Sequence, residues 1–269
     1  MKRIMLKSAT LAGVVLLSSL AVAQAADPDP KNPALPTVWI AGDSTVHQTG
    51  KSPDKVGWGD IIEPYFDVVK VNVVNRARGG RSSRTFITEG LWDSLLKGAK
   101  AGDVVLLQFG HNDSSPLVDA DRCRGSIQGT GDETQETYNN VTKKNEMVHT
   151  YGWYLRKMIS DAKAKGMKVV VMSPVPRCPK GDAFAPSTEA TGYQQFASEV
   201  AEKEGVPYVD LHAVIWKTYG KMKADDIKKT YFTPDDGTHT NAAGAKVNAD
   251  SVVEGLKGLK ENPVAAYLK

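Results

Sequence analysis

The chain has 269 residues, of which 41% are hydrophobic and 24% are charged, and its formal net charge at pH 7 is +3. That length can bury a sizeable core without structural metals or many disulfides. The first 25 residues contain three cations and no acidic residue, so the rest of the chain is formally neutral. A neutral chain lacks the basic character of nucleic-acid-binding proteins, and we expect no nucleic-acid partner.

The first 25 residues have the features of a signal peptide. A basic start is followed by an apolar run too short to span a membrane comfortably, and small residues stand at Ala23 and Ala25. We therefore predict a signal peptide over 1–25, a linker over 26–36 and a single domain over 37–269. We expect the mature protein to be a monomer without membrane contact, exported to the periplasm or the medium.

The chain has two cysteines, Cys123 and Cys178, and both fall in predicted loops. An exported protein meets oxidising conditions, which favour one disulfide between them. Two free thiols are the alternative.

Short β-branched runs alternate with longer amphipathic stretches along the chain. Runs typical of buried strands cover 37–42, 68–75, 103–110, 167–173 and 206–210. Helical patterns cover 57–66, 84–100, 139–166, 191–205, 212–223 and 241–259. This alternation predicts an α/β fold, a three-layer α/β/α sandwich around a central parallel five-stranded sheet.

Four polar clusters, each containing glycine, stand at or near the ends of these elements. They are Gly42-Asp43-Ser44-Thr45, Gly79-Gly80-Arg81-Ser82-Ser83, Gly110-His111-Asn112-Asp113 and, before the last helix, Asp235-Asp236-Gly237-Thr238-His239. Ligands of parallel sheets bind at the carboxyl ends of the strands. We therefore expect the four clusters to converge on one site.

The clusters contain the residues of a serine nucleophile and its base. A serine hydroxyl needs a nearby base to become nucleophilic, and we assign these roles to Ser44 and His239. Asp236 precedes His239 by three residues and can hold the other ring nitrogen. Asp235 competes with it, but the three-residue spacing favours Asp236. Asp43 is expected to orient the turn through backbone hydrogen bonds.

Acyl transfer also requires donors for the oxyanion that develops in the transition state. The backbone N–H groups of Ser44 and Gly80 and the side-chain amide of Asn112 can supply three. A glycine at position 80 permits close approach and an unusual backbone conformation.

These four blocks resemble those of the SGNH (GDSL-like) hydrolases. The longer phrases TVWIAGDSTV, GWGD, ARGGRSSRTF, FGHND and DGTHTNAAGA resemble the rhamnogalacturonan and pectin acetylesterase branch. The resemblance spans the mature chain. It implies a flavodoxin-like α/β/α fold, no metal or other cofactor, and removal of acetyl groups from plant cell-wall polysaccharide through an acyl-enzyme. The loops 114–138 and 174–190 are not determined by the motifs, and we expect them to shape substrate choice.

Arginines concentrate around Gly80, and two of them are candidates for contacting galacturonate carboxylates through their planar guanidinium groups, Arg81 and Arg84. Pairing with Glu89 or Asp93 is equally consistent with the sequence. His111 either hydrogen-bonds within its loop or lines the substrate pocket.

Other functions remain open at this point. The enzyme could act on acetylated xylan or small acetylated sugars. From other classes, a metal-dependent phosphoesterase or a non-catalytic carbohydrate-binding module would also fit parts of the pattern.

Overall fold

The computed structural model describes residues 28–47, 54–179, 192–220 and 222–269. The predicted signal peptide lies outside these ranges. Within them, no helix is both long and apolar enough to cross a membrane.

The described residues form seven strands and seven α-helices. The strands are β1 (Thr37–Gly42), β2 (Asn72–Asn75), β3 (Val104–Gln108), β4 (Thr134–Asn139), β5 (Lys144–His149), β6 (Lys168–Met172) and β7 (Tyr208–Val209). The helices are α1 (Ser83–Thr88), α2 (Leu91–Gly98), α3 (Tyr151–Ala164), α4 (Tyr193–Lys203), α5 (Leu211–Tyr219), α6 (Ala224–Tyr231) and α7 (Ala242–Lys257). Short 3-10 turns cover Trp58–Asp60, Glu63–Tyr65 and Ala265–Tyr267.

Five strands form one parallel sheet in the order β2-β1-β3-β6-β7. The predicted central five-stranded parallel sheet is therefore confirmed. All residues of β1 and β3 are buried, because helices cover both faces of the sheet.

Side chains alternate between the two faces and build two cores. Val38 and Ile40 pack on the side of α5, α6 and α7. Trp39 and Ala41 pack on the opposite side with α1, α2, α3 and α4. Two cores separated by one sheet give the three layers that the alternating pattern predicts.

Three predicted helices differ from the structure. The stretch 84–100 forms two helices, α1 and α2, divided at Gly90, whose φ is 76°. The stretch 57–66 forms two 3-10 turns instead of a helix. The helical pattern over 139–166 is wrong before Tyr151, because Thr134–Asn139 and Lys144–His149 pair as an antiparallel hairpin. Lys143 in its turn has a positive φ of 57°, a conformation that ends a helix.

The predicted linker runs along the edge of the domain where the structure describes it. The backbone N–H of Asn32 donates to Asn72 Oδ1 over 2.9 Å, and Asn72 Nδ2 donates to the carbonyl of Asn32 over 2.8 Å. Asp29 pairs with Arg76 over 2.9 Å. These contacts bring the chain into β1 at a fixed position.

Candidate active site

Ser44 lies just beyond the carboxyl end of β1, which is flanked by β2 and β3 within the sheet. The carbonyl of Asp43 accepts from the N–H of Val46 over 3.2 Å and closes a tight turn. The carboxylate of Asp43 accepts from the N–H of Thr45 over 2.8 Å and from its hydroxyl over 2.7 Å. Asp43 therefore makes the backbone contact expected of a residue that orients the turn.

A buried polar chain supports this turn from below. Trp58 Nε1 donates to Gln108 Oε1 over 2.7 Å, and Gln108 Nε2 donates to Thr45 Oγ1 over 2.8 Å. Because the chain is buried, loss of any member would leave its partner without a hydrogen bond. The cost of that loss holds the turn after β1 in place. The sequence did not single out Gln108; its signal is a polar side chain at the end of an otherwise apolar strand.

The turn before α7 brings a histidine and a carboxylate to Ser44. His239 Nε2 lies 2.9 Å from Ser44 Oγ, and His239 Nδ1 lies 2.8 Å from Asp236 Oδ2. Asp236 Oδ1 accepts from the N–H groups of Thr238 and His239 over 2.8 and 2.7 Å. The structure thus places the three residues in one hydrogen-bonded chain, although 195 positions separate Ser44 from His239.

The two neighbouring aspartates occupy different environments. The side chain of Asp235 is 71% exposed, whereas that of Asp236 is 28% exposed and faces Lys55 Nζ at 2.6 Å. Partial burial raises the pKa of Asp236. The N–H of His239, the Lys55 ammonium, the His239 ring and the N–H of Thr238 together outweigh burial and hold that pKa well below its usual range. Asp236 is therefore the carboxylate that stays ionised beside the imidazole.

Gly80 and Asn112 line the same cleft as Ser44 and His239. Gly80 has a φ of 80°, and a Cβ there would meet no atom closer than 3.8 Å, so backbone conformation rather than space calls for glycine. Asn112 Nδ2 donates one hydrogen bond to the carbonyl of Arg81 over 2.9 Å. The amide has a second N–H for a ligand.

Asp113 links the Asn112 loop to its surroundings. It is buried and accepts from the Ser83 hydroxyl and N–H and from the Ser126 hydroxyl. Burial raises the pKa of Asp113 to about 6 against the lowering effect of these hydrogen bonds. The preceding loop residue Gly110 has a φ of 144°, and a Cβ there would lie 2.5 Å from Pro174.

The cleft around Ser44 has a volume of about 800 Å³, and cations line much of it. Lys55 is one of them, and four others form what we call the arginine group: Arg81, Arg122, Arg124 and Arg177. The guanidinium of Arg124 donates to the carbonyl of Gly80 over 3.3 Å, and that of Arg177 donates to the Thr238 hydroxyl over 2.7 Å. Sequence reasoning missed Arg122, Arg124 and Arg177, which lie in the two loops expected to shape substrate choice.

The candidate substrate residues Arg81 and His111 both line the cleft. Arg81 also pairs with Glu89 over 2.8 Å, which is the alternative that the sequence left open. His111 is only 9% exposed, and its carbonyl accepts from Arg177 over 3.2 Å. Burial lowers the pKa of His111 most, the charge of Asp43 raises it, and Arg177 and His239 lower it, so that the net direction is downward and favours the neutral ring.

The prediction that Arg84 contacts substrate is wrong. Its side chain is 0% exposed and donates to both carboxylate oxygens of Glu146, over 2.8 and 2.7 Å. It also donates to the carbonyls of Leu117 and Gly125 over 2.9 and 2.7 Å. Arg84 therefore ties α1 to β5 and to the loop below the cleft, and its guanidinium is out of reach of a ligand.

The predicted disulfide is also not formed, because Cys123 and Cys178 are free in the structure. Cys123 is buried, with its Sγ 3.3 Å from the carbonyl of Asp119 in its own loop. The N–H of Cys178 donates to the carbonyl of Gly237 over 2.7 Å. Each cysteine thus has its own local contacts.

Known proteins are similar in sequence to this chain. Residues 40–247 match the GDSL-like lipase/acylhydrolase family. The rhamnogalacturonan acetylesterase of Emericella nidulans is 36% identical over 223 residues, which are 82% of this chain and 84% of that protein. The probable rhamnogalacturonan acetylesterase YesY of Bacillus subtilis is 29% identical, over 82% of this chain and 93% of that protein.

Solved structures share the fold. YxiM from Bacillus subtilis matches with a TM-score of 0.64 and 26% identity over 83% of this chain, and the match spans 56% of YxiM. The acetylxylan esterase Axe2 of Geobacillus stearothermophilus matches with a TM-score of 0.52 over 82% of this chain and 93% of Axe2. Axe2 is 14% identical and shows the likeness of fold alone. By its sequence match over most of its length, the chain belongs to the GDSL-like lipase/acylhydrolase family and is an esterase.

Proposed function

We propose that this protein is a carbohydrate acetylesterase that removes O-acetyl groups from rhamnogalacturonan through a covalent acetyl-serine intermediate. The observation that carries the proposal is the hydrogen-bonded chain Ser44–His239–Asp236 within a cleft lined by arginines. Two relatives that span most of this chain are named a rhamnogalacturonan acetylesterase and a probable rhamnogalacturonan acetylesterase.

Ser44 starts the reaction as the nucleophile. Its Oγ lies 2.9 Å from His239 Nε2, which accepts the hydroxyl proton as Oγ bonds to the acetyl carbonyl carbon. His239 Nδ1 carries the other ring proton, and this N–H donates a hydrogen bond to the ionised Asp236. The carboxylate thereby fixes the tautomer and stabilises the imidazolium.

The attack turns the carbonyl oxygen into an oxyanion, and three N–H donors stabilise it. They are the backbone N–H groups of Ser44 and Gly80 and the remaining amide N–H of Asn112. When the tetrahedral intermediate collapses, the bond to the sugar oxygen breaks, and His239 returns its proton to that oxygen. The sugar leaves with a free hydroxyl, and the acetyl group stays on Ser44.

Water completes the cycle. His239 takes a proton from a water molecule as the water oxygen attacks the acetyl carbon. The bond to Ser44 Oγ then breaks, His239 returns the proton to Oγ, and acetate leaves. The enzyme is thereby returned to the protonation state in which the cycle began.

The arginine group supports an acidic polymer as substrate. Burial lowers the pKa of Arg124, and Arg122 and Arg177 lower it further by repulsion, whereas Asp119 and Asp43 raise it. Among the described residues, Arg124 and Arg177 form no ion pair; they donate to carbonyl and hydroxyl oxygens. A carboxylate of the polymer in this cleft would relieve the repulsion and match the planar guanidinium groups.

We also propose that the protein is exported and acts as a monomer. Support for export comes from the basic start, the short apolar run and the small residues at Ala23 and Ala25. N-terminal sequencing of the protein recovered outside the cytoplasm should begin near Ala26. Recovery of the intact N-terminus from the cytoplasm would contradict export.

Acetate release tests the proposed activity. The mature protein is incubated with acetylated rhamnogalacturonan, homogalacturonan and xylan and with an aryl acetate, with and without a chelator. We expect chelator-insensitive release that favours rhamnogalacturonan. Ser44→Ala should lower turnover at least a thousandfold with an unchanged melting temperature, whereas Ser160→Ala, on the exposed face of α3, should change neither.

Each other result removes a different part of the proposal. Preference for xylan would retain the mechanism and discard the substrate. Loss of activity on chelation would favour a metal-dependent reaction. No release from any polymer or aryl acetate would favour a carbohydrate-binding module.

A further inference from the structure

Lys55 binds the carboxylate oxygen that holds the catalytic histidine. Its Nζ lies 2.6 Å from Asp236 Oδ2, the same atom that accepts from His239 Nδ1 at 2.8 Å. The Lys55 side chain is 18% exposed, and its Nζ lies 3.4 Å from Asp235. Oδ2 of Asp236 therefore has a permanent cation on one side and the imidazole on the other.

We propose that Lys55 is a positioning residue for the acyl transfer, whose ammonium group fixes the ionised Asp236 and whose charge opposes protonation of His239. This inference rests on the proposed roles of Ser44, His239 and Asp236. It concerns the hydrolysis of any acetyl ester and is independent of the polymer.

The backbone next to Lys55 is bound to both turns of the catalytic site. The N–H of Val56 donates to the carbonyl of Thr240 over 3.0 Å, and the Thr240 hydroxyl donates to the carbonyl of Val56 over 2.9 Å. The N–H of Trp58 donates to the carbonyl of Thr45 over 3.2 Å. Since Thr240 follows His239 and Thr45 follows Ser44, the fold holds Lys55 at a set distance from the reacting groups.

The charge of Lys55 persists over the working pH range. The hydrogen bond to Asp236 raises the pKa of Lys55, partial burial lowers it, and the charges of Asp236 and Asp235 raise it further, so that the net direction is upward. Within the described residues, Asp236 contacts the imidazole, Lys55 contacts Asp236 and Asp235, and His111 interacts electrostatically with His239 as well as with Asp43 and Arg177. Of these, Lys55 is the cation that contacts the triad carboxylate.

A cation at this place has an effect with a definite sign. A positive charge beside the carboxylate that binds the imidazole opposes a second positive charge on the ring. Without Lys55, protonation becomes easier, and the acidic limb of kcat/KM moves to higher pH. The lost hydrogen bond also frees the Asp236 carboxylate to rotate, which lowers kcat even where the imidazole is neutral.

The test is the pH profile of Lys55→Met on a neutral aryl acetate. We expect kcat to fall about tenfold and the acidic limb of kcat/KM to move up by about half a unit to one unit, with KM changed less than about twofold. Lys55→Arg keeps the charge and should keep the position of the limb. Lys157→Met removes a comparable Lys–Asp pair on α3 at 2.9 Å and should change neither quantity.

Asp236→Asn supplies the second readout. In the Asp236→Asn background, Lys55→Met should lower kcat little further, because the shared carboxylate is already absent. Losses in kcat that are fully additive in free energy would overturn the inference. The inference would also be overturned if Lys55→Met kept the parent's pH profile on the aryl acetate and raised KM for the acidic polymer alone. Lys55 would then be a substrate contact. If Lys55→Met does not fold, the same pH profile is measured on Lys55→Gln, which also removes the charge. Activity retained by Ser44→Ala would instead refute the proposed function.

Discussion

Two groups of side chains meet in the cleft, and the structure holds them in different ways. The residues that we call the catalytic group stand on short connections at the carboxyl end of the sheet: Ser44, Gly80, Asn112, Asp236 and His239. The arginine group stands mainly on the loops 111–126 and 174–179. Ser44 is 9% exposed and Asn112 7% exposed, whereas Arg122 and Arg177 are exposed.

The difference follows from what each group has to do. Breaking an ester bond depends on hydrogen bonds near 3 Å, such as those between His239 and its two partners, so the supporting turns must be rigid. Neutralising a carboxylate tolerates larger displacements, because Coulomb energy falls slowly with distance. Changes in the catalytic group should therefore lower kcat on every ester, and changes in the arginine group should raise KM on acidic polymer alone.

The sharpest test within the catalytic group compares adjacent aspartates. Asp236→Asn should lower kcat on an aryl acetate about a thousandfold, since the amide cannot stabilise the imidazolium as the carboxylate does. Asp235→Asn, at a side chain that is 71% exposed, should lower it less than about threefold. Equal effects in steady-state kinetics would overturn the assignment of Asp236.

Asn112 should have the next largest effect. Asn112→Ala removes one oxyanion donor, and we expect kcat to fall about a hundredfold, equivalent to about 2.7 kcal/mol, with KM nearly constant. Asn145→Ala on the exposed hairpin is the matched control and should leave kcat unchanged. A loss confined to KM would place Asn112 with the arginine group instead.

The sequence predicted the catalytic group better than the arginine group, because short motifs mark the catalytic residues, whereas contacts between distant segments place the arginine side chains. Ser44, Asn112 and His239 follow strands or precede a helix within short motifs, so their neighbours along the chain identify them. The five strands could be predicted for the same reason, since β1 and β3 are continuous apolar runs buried on both faces.

The positions of the arginine side chains depend on contacts between segments that lie far apart in the chain. The sequence pattern does not specify these contacts. Arg84 stands in a motif but faces Glu146 on β5, in a stretch whose pattern predicted a helix. Arg124 and Arg177 come from separate loops and are brought to the same cleft by the fold. The concentration of arginines around Gly80 thus pointed to Arg84, which is buried, although the loops that hold Arg122, Arg124 and Arg177 were recognised.

Asp113 follows Asn112 of the catalytic group and accepts hydrogen bonds from Ser83 and Ser126, and the pH dependence of stability tests its burial. Because its pKa of about 6 exceeds its value in the unfolded chain, the folded state binds the proton more tightly, and this contribution to stability is lost as pH rises from about 4 to above 6. Asp113→Asn, a neutral isostere, should gain stability relative to the parent by on the order of 2 kcal/mol between pH 4 and 7. Denaturant unfolding measures the difference. Asp93→Asn, exposed on α2, should show none.

The smallest effects belong to the arginine group. Arg124→Gln and Arg177→Gln should each raise KM for acetylated rhamnogalacturonan about fivefold, or about 1 kcal/mol, and leave aryl-acetate kinetics unchanged. Arg81→Gln should do less, because Glu89 already neutralises that guanidinium. Arg156→Gln on α3 should leave KM unchanged. Arg84→Met should lower the melting temperature without selective loss on polymer, since it leaves the Glu146 carboxylate without its charged partner. Equal losses on both substrates in the Arg124 variant would mean that this residue acts on the Gly80 backbone rather than on the polymer.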